Sequence, residues 1–227
     1  MNFKYKIVFA LLIVLTSCAK DNYDEPGSFL KGNIVYNGEP INVEYNQVAF
    51  QLLEAGFVGV KPIDVNVAQD GSFSQLLFNG DFTLAFRPNQ GPFVAPYTES
   101  EPYQLKLNGS QNLDIEVTPF YMIRNPQFSM SNQVLTSTFA LEKIITNENA
   151  KDVERVSLYV NETQFVSGAS NIKIADLGGG DIVDQNNITL SLEVPSVSQT
   201  YVFARVGVKI AGVEDMLFSP VQKITIQ

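Results

Sequence analysis

The chain has 227 residues, of which 45% are hydrophobic and 17% charged, a composition typical of a folded globular protein rather than a disordered one. Its net charge of -9 and its lack of basic runs argue against nucleic-acid partners, because a polyphosphate backbone needs cations to neutralise it. Histidine is absent and cysteine occurs once, which excludes Ser-His and Cys-His catalysis, thiolate zinc sites and imidazole metal sites.

Residues 1–17 are predicted to be a signal peptide. Lys4 and Lys6 precede an apolar run at residues 7–15, far shorter than the ~20 residues that span a bilayer as a helix. The run ends in the sequence LTSC at residues 15–18, which matches the lipobox of bacterial lipoproteins. We therefore expect cleavage before Cys18 and lipidation of Cys18. The alternative is a buried cysteine beside an unrelated site.

The segment 18–27 is polar and acidic and ends in Pro26-Gly27, so it predicts an extended tether. Removal of the two signal-peptide lysines from the 15 basic residues leaves 13 against 24 acidic residues, a charge of -11. The tether resembles the acidic export signal of surface-exposed Bacteroidetes lipoproteins. That resemblance implies a lipid anchor in the outer membrane that faces the cell exterior, with a plain solvated linker and a periplasmic face as the alternative.

From Phe29 onward, apolar and polar residues alternate in short runs. Runs at residues 63–67, 82–86, 103–107 and 113–117 predict half-buried antiparallel strands, and residues 47–55 are also predicted to form a strand. Four dipeptides that tolerate positive φ supply turns between them, namely Asn37-Gly38, Asp70-Gly71, Asn79-Gly80 and Asn108-Gly109.

A second block follows Pro119, with strands predicted at residues 134–141, 153–160, 188–194, 201–210 and 223–226. In the run 201–210, one face is apolar, while Arg205 and Lys209 lie on the other face, which we expect to meet water. The prediction is an all-β chain with two antiparallel β-sandwich domains in tandem. Their predicted bounds are 28–118 and 119–227.

Three motifs of the first block carry a resemblance to a known domain. A strand at residues 32–36 leads into Asn37-Gly38, the sequence DGSF follows at 70–73, and GDFTL opens a later strand at 80–84. This order resembles carboxypeptidase regulatory-like, transthyretin-like domains. The second block is similar to a fibronectin type III or Ig-like sandwich, with residues 201–210 as its penultimate strand.

Behind a lipobox, the two blocks together resemble a two-domain Bacteroidetes lipoprotein family of unknown function. Its members resemble accessory lipoproteins of starch-utilisation-like (Sus-type) uptake systems. The resemblance covers essentially all of the mature chain and implies that it captures or handles a glycan. A TonB-dependent transporter and its lipoprotein lid are the implied partners. The family offers no catalytic or binding residues to carry over, and we expect neither enzyme activity nor a cofactor.

The segment 87–102 is the candidate ligand-binding surface, because connections this long are often functional. Aromatic rings in and beside it could stack on sugars while polar side chains bind hydroxyls. The candidate residues are Arg87, Asn89, Gln90, Phe93, Tyr97, Glu99 and Tyr103. The alternative is that Phe93 and Tyr97 pin the loop onto the first domain or fill the space between domains.

Two clusters of acids suggest further chemistry. Asp176, Asp181 and Asp184 surround a glycine triplet and are a candidate cation site, with a glycine-rich turn carrying solvated acids as the alternative. Pairs such as Glu99 and Glu101 would suit a glycoside hydrolase only if they faced each other across a cleft. A structural or adhesive protein, with its sandwiches as spacer and contact modules, is the other alternative function.

Overall fold

The computed structural model describes residues 25–56, 59 and 61–226, which are almost entirely β-strands and loops. The predicted signal peptide, Cys18 and most of the tether lie outside the described residues. Helical structure in the described ranges is limited to one 3-10 turn, Gly179–Asp181. No described helix has the length and hydropathy of a membrane span.

The strands of the N-terminal half, residues 25–119, form two main sheets and a ribbon. They are β1 (Ser28–Tyr36), β2 (Glu39–Pro40), β3 (Ala49–Glu54), β4 (Ile63–Asn66), β5 (Ser72–Leu77), β6 (Gly80–Phe86), β7 (Phe93–Val94), β8 (Tyr103–Leu107), β9 (Gln111–Asn112), β10 (Ile115–Glu116) and β11 (Thr118–Pro119). One sheet surrounds β1, which pairs with β2, β5, β9 and β10. The other has the order β4-β3-β6-β8, and the ribbon pairs β7 with β11.

The C-terminal half, residues 120–226, also contains two sheets. Its strands are β12 (Tyr121–Ser131), β13 (Val134–Lys143), β14 (Val153–Asn161), β15 (Lys173–Gly178), β16 (Ile188–Glu193), β17 (Tyr201–Ile210), β18 (Leu217–Phe218) and β19 (Gln222–Thr225). One sheet has the order β12-β13-β16, and in the other β15-β14-β17 is completed by β18 and β19, which both pair with β17. The all-β prediction is confirmed.

Two local predictions in the N-terminal half are wrong. The run 113–117 was expected to be an antiparallel strand, but only Ile115–Glu116 is a strand, and it pairs with β1 in parallel, as does β9. The dipeptide Asn79-Gly80 has no positive φ, and Gly80 instead begins β6. Asn37 and Gly38, in contrast, have φ of 51° and 77°, as a tight hairpin turn requires.

Three strands of the C-terminal half were not predicted: the two-residue β18 and the longer β12 and β15. β12 contains Pro126 and Asn125, which has a φ of 50°, and both read as turn signals in the sequence. The pairing with β13 absorbs them as a bulge between Arg124 and Gln127. β15 was not predicted because it ends at Gly178, the first residue of a glycine triplet that reads as a turn in the sequence.

The cores of the two halves are continuous. Within the N-terminal half, Phe50 of β3 meets Phe73 of β5 edge to face, with ring centroids 4.9 Å apart, so the two sheets pack against each other. One cluster of buried apolar side chains extends from this core into that of the C-terminal half. Backbone contacts also join the halves: Asn42 forms a β-bridge with Phe218, and the Phe120 N–H donates to the Pro92 carbonyl at 3.2 Å.

Candidate functional site

A cleft of about 530 Å³ lies where the loop after β6 meets two loops of the C-terminal half. Its apolar side chains include Phe86, Phe93, Phe120 and Val213, and its polar ones are Arg87, Asn89, Gln90, Glu99 and Lys151, together with Thr98 and Ser100. This volume falls within the range of about 300–1,000 Å³ that is usual for small-ligand sites. A lining that combines apolar and polar side chains is also typical of such sites.

Five of the seven residues predicted as ligand contacts line the cleft: Arg87, Asn89, Gln90, Phe93 and Glu99. Tyr97 and Tyr103 do not. Their rings pack on each other, with centroids 5.0 Å apart, and both side chains are half-buried against the core. The two tyrosines therefore fix the end of the loop to β8 rather than line the cleft.

Phe93 anchors the loop that forms the N-terminal wall of the cleft. Its side chain is buried and meets Phe86 edge to face, with ring centroids 5.6 Å apart. Gly91 passes close to this ring: a Cβ at Gly91 would lie 2.3 Å from a ring carbon, and its φ of 82° also favours glycine. The pinning alternative thus describes Phe93 correctly, even though the ring also contributes to the lining of the cleft.

Asp215 of the C-terminal half holds the same loop from the other side of the interface. This carboxylate, only 6% exposed, accepts a hydrogen bond from the Gly91 N–H at 2.7 Å and a longer one from Gln90 Nε2 at 3.5 Å. Burial raises the pKa of Asp215, and the Gly91 hydrogen bond opposes that rise. Gln90 Oε1 meanwhile accepts from the Ala49 N–H at 3.0 Å, so Gln90 is a structural link between the halves.

Arg87 is likewise engaged within the protein. Its Nη2 lies 2.7 and 2.9 Å from the two carboxylate oxygens of Asp64, which also accepts a hydrogen bond from Gln51 Nε2. The hydrogen bond from Gln51, followed by that from Arg87, lowers the pKa of Asp64. The guanidinium thus presents only its remaining N–H groups to the cleft.

Asn89 and Glu99 are the predicted residues that remain available to a ligand. Both are exposed, and no side-chain hydrogen bond to either occurs within the described ranges. Lys151, which the sequence did not single out, joins them: its Nζ lies 3.4 Å from the Gly212 carbonyl and 5.5 Å from the centroid of the Phe120 ring. Nothing local marks Lys151, because tertiary contacts alone bring it to the cleft.

Arg205 overturns the prediction that this face of β17 meets water. The residue is 1% exposed, and its guanidinium lies 3.7 Å from the centroid of the Phe218 ring. Nη1 donates to the Val43 carbonyl at 3.0 Å, and Nε donates to the Val166 carbonyl, while Nη2 is buried without a partner in the described structure. Burial lowers the pKa of Arg205 to about 10.

The three aspartates proposed as a cation site lie near a glycine-containing 3-10 turn, but each has a different setting. Asp176 is within β15, 4.0 Å from Arg155, and Asp181 ends the 3-10 turn, while Asp184 accepts from the Asn186 backbone N–H. Gly179 is needed for a close approach of backbones, because a Cβ there would lie 1.8 Å from the Val153 carbonyl oxygen. Within the described residues, no three acidic or cysteine side chains could share a metal ion.

Comparison with known proteins finds two family models that together match most of the chain. The "Protein of unknown function (DUF3823) N-terminal domain" matches residues 28–118, and the "Domain of unknown function (DUF3823_C)" matches residues 121–223. Among curated proteins, no relative matches the chain.

Several solved structures are also similar. A DUF3823 protein from Parabacteroides merdae is 31% identical, with 89% of this chain and 100% of that one covered and a TM-score of 0.78. Another from Bacteroides ovatus is 29% identical, with 88% and 100% covered and a TM-score of 0.79. A candidate carbohydrate-binding protein from Bacteroides uniformis is 18% identical, with 89% and 100% covered and a TM-score of 0.69, a likeness in fold alone.

Proposed function

The chain belongs to the two-domain DUF3823 family of unknown function, and from that premise we propose that it is a non-catalytic carbohydrate-binding protein. We further propose that it is lipid-anchored through Cys18 at the outer-membrane surface and accompanies a Sus-type uptake system. The cleft between the two halves is the observation that carries the binding role.

The chemistry of the cleft suits a sugar. Pyranose rings present apolar C–H faces and a rim of hydroxyl groups, so they need both apolar surface and hydrogen-bonding side chains. The cleft offers exposed apolar surface at Val94, above a lining that includes the buried Phe93 and Phe120, and polar groups at Asn89 and Glu99. The buried interface between the halves holds the N-terminal wall of the cleft in place, and a fixed wall reduces the entropy lost when a ligand binds.

Two further lines support the proposal. The similar fold from Bacteroides uniformis is described as a candidate carbohydrate-binding protein. The lipobox at residues 15–18 and the acidic tether motivate the anchor and the surface location.

The cleft also supports a binding role over hydrolysis. Glycoside hydrolysis ordinarily needs two carboxyl groups that flank the scissile bond. Glu99 is the carboxylate that lines the cleft, and its predicted partner Glu101 does not contribute to the lining. A purified protein that released reducing ends from a panel of polysaccharides would contradict this part of the proposal.

A glycan array, followed by calorimetry with the glycans retained, tests carbohydrate binding. We expect Lys151→Gln and Asn89→Ala to weaken binding by about tenfold each, the loss of roughly one hydrogen bond. Lys173→Gln is a matched control, because Lys173 is an exposed lysine in β15, outside the cleft. Retention of full affinity by both cleft variants would place the sugar elsewhere, and a blank array would remove the binding role.

Purification of the tagged, full-length protein from gently solubilised outer membranes tests the uptake role. Recovery of a TonB-dependent transporter and its lipoprotein lid is the expected result. The variant Cys18→Ser should leave the membrane fraction, since no lipid would then anchor the chain. Recovery of no transporter would favour a stand-alone protein.

A second candidate, an adhesive contact module, is favoured by one observation. Tyr45 and Phe165 come from different halves, and their partly exposed rings pack with centroids 4.9 Å apart. Exposed aromatic pairs of this kind are common in protein interfaces. Loss of cell-surface adhesion, but not of glycan binding, in Tyr45→Ser would support this function.

A further inference from the structure

The cleft does not end at Lys151. A second hollow, of about 550 Å³, adjoins it on the C-terminal half and is lined by Glu148, Asn149 and Ala150. Val94, Phe120 and Lys151 line both the cleft and this hollow, so these three residues form the junction between the two. The two spaces are therefore neighbours that share a boundary.

Backbone contacts from both halves meet at the junction. Val94 belongs to β7, which pairs with β11, and the Phe120 N–H donates to the Pro92 carbonyl at 3.2 Å. Phe120 is buried, while Val94 is half exposed. Both halves of the chain therefore contribute backbone contacts to this boundary.

Each space alone has the volume of a small-ligand site. Both also offer polar groups that suit hydroxyls, with Asn89 and Glu99 in the cleft and Glu148 and Asn149 in the hollow. A single sugar would occupy only one of the two spaces. A chain of linked sugars can occupy both and cross the apolar junction between them.

We propose that the cleft and the hollow form one groove that binds a linear oligosaccharide of several units, with the chain passing over Phe120 beside Lys151. This inference rests on the proposed carbohydrate-binding function and adds the class of ligand. It follows that affinity depends on chain length, because short chains fill the cleft alone, and longer chains gain contacts in the hollow.

Calorimetry with the full chain tests this dependence, using linear starch-, cellulose-, mannan- and galactan-type oligosaccharides of two to six units. For the series that binds, affinity should rise at least about tenfold from two to six units, which corresponds to 1.4 kcal/mol. Ala150→Phe fills the hollow, so it should bind short chains normally and lose the gain for long ones. Ser100→Phe fills the cleft and should weaken every length.

Ser198→Phe is the matched control, because Ser198 is exposed in a loop outside both spaces. Circular dichroism of each variant verifies that it folds. Equal affinity for two and six units, or an unchanged gain in Ala150→Phe, would overturn the oligosaccharide groove while leaving the carbohydrate-binding function intact. Absence of binding at every length would overturn both.

Discussion

Asp215 and Arg205 are both buried charges at the interface between the halves, yet their surroundings differ. Asp215 accepts its short hydrogen bond from the Gly91 N–H, in the loop that forms the cleft wall. Arg205 donates to two backbone carbonyls and stacks on Phe218, away from the cleft lining. Burial disfavours the charged form of each group, raising the pKa of the acid and lowering that of the base.

The interface between the halves therefore has two separate roles. Around Arg205 a charged side chain satisfies carbonyls of both halves, so the region determines how firmly the halves are joined. Around Asp215 the same interface fixes the shape of a ligand site. Substitutions near Arg205 should therefore act on stability, and substitutions near Asp215 should act on both stability and binding.

The largest effect is expected from Arg205→Met. The variant leaves the carbonyls of Val43 and Val166 buried without donors, and unsatisfied buried acceptors cost about 1–3 kcal/mol each. We expect the free energy of unfolding to fall by about 4 kcal/mol. Urea unfolding followed by far-UV circular dichroism measures it, which suits a chain without tryptophan.

Arg155→Met on the neighbouring strand β14 is the control. Its ion pairs with Glu154 and Asp176 are partly exposed, so its loss should cost less than about 1 kcal/mol. If Arg205→Met were as stable as the natural protein, the desolvation of the guanidinium would outweigh its hydrogen bonds, and the distinction between the two regions would fail.

Gly91→Ala should have the next largest effect. Its Cβ would collide with the Phe93 ring, and a left-handed φ adds strain, so we expect a loss of about 3 kcal/mol together with weaker ligand binding. Gly109→Ala separates the two causes, since Gly109 has a φ of 76° but open space around it. A loss of about 1 kcal/mol is expected there. Equal losses would show that the Phe93 ring moves aside freely.

Asp215→Asn tests the pH dependence of the cleft region. A carboxyl whose pKa is raised by folding binds its proton more tightly when folded, so it favours the folded state most below its ordinary pKa of 3.8. The difference in free energy of unfolding between the natural protein and the variant should shrink as pH rises through the raised pKa. The decrease should be about 1.4 kcal/mol for each unit by which folding raises the pKa of Asp215. Urea unfolding between pH 3 and 7 measures the difference.

Asp64→Asn should change the pH dependence of the free energy of unfolding in the opposite direction. The pKa of Asp64 is lowered by folding, so its contribution is present above pH 3.8 and is lost as pH falls through the lowered pKa. The difference between the natural protein and this variant should therefore grow as pH rises towards 3.8 and stay nearly constant above it, whereas that of Asp215→Asn declines above 3.8. Parallel slopes for the two variants would contradict the assignment of burial as the cause at Asp215.

The smallest effect is expected from Arg87→Gln. The ion pair with Asp64 is about half exposed at both side chains, so its loss should change the free energy of unfolding by less than about 1 kcal/mol. Half a molar sodium chloride should reduce even this difference, because salt screens exposed charges. A loss comparable to that of Gly91→Ala would mean that Arg87 supports the cleft wall as firmly as Phe93 does.

Much of the fold could be predicted from local patterns. The strands at residues 103–107 and 201–210 were predicted to the residue, and that at 63–67 to within one, because apolar alternation with a period of two reflects one buried face. β12 was not predicted because Asn125 and Pro126 are residues typical of turns. In the structure, the pairing of β12 with β13 accommodates both residues in a β-bulge.

The candidate site was partly predictable for a similar reason. The length and composition of segment 87–102 pointed to five residues that line the cleft. The segment could not reveal that Tyr97 and Tyr103 pack on each other, or that Lys151 and Gly212 form the opposite wall. Those positions depend on contacts between parts of the chain that are distant in sequence.

Most of the strands, the acidic charge and the loop that carries half of the cleft follow from neighbouring residues, so they can be recognised in the sequence. Which charges are buried depends instead on tertiary contacts. Arg205 alternates with valines in a pattern that predicts a face in water, but its partners are the carbonyls of Val166 and Val43, 39 and 162 residues away. A charged side chain is buried where distant groups satisfy it, and no local pattern records where those groups will lie.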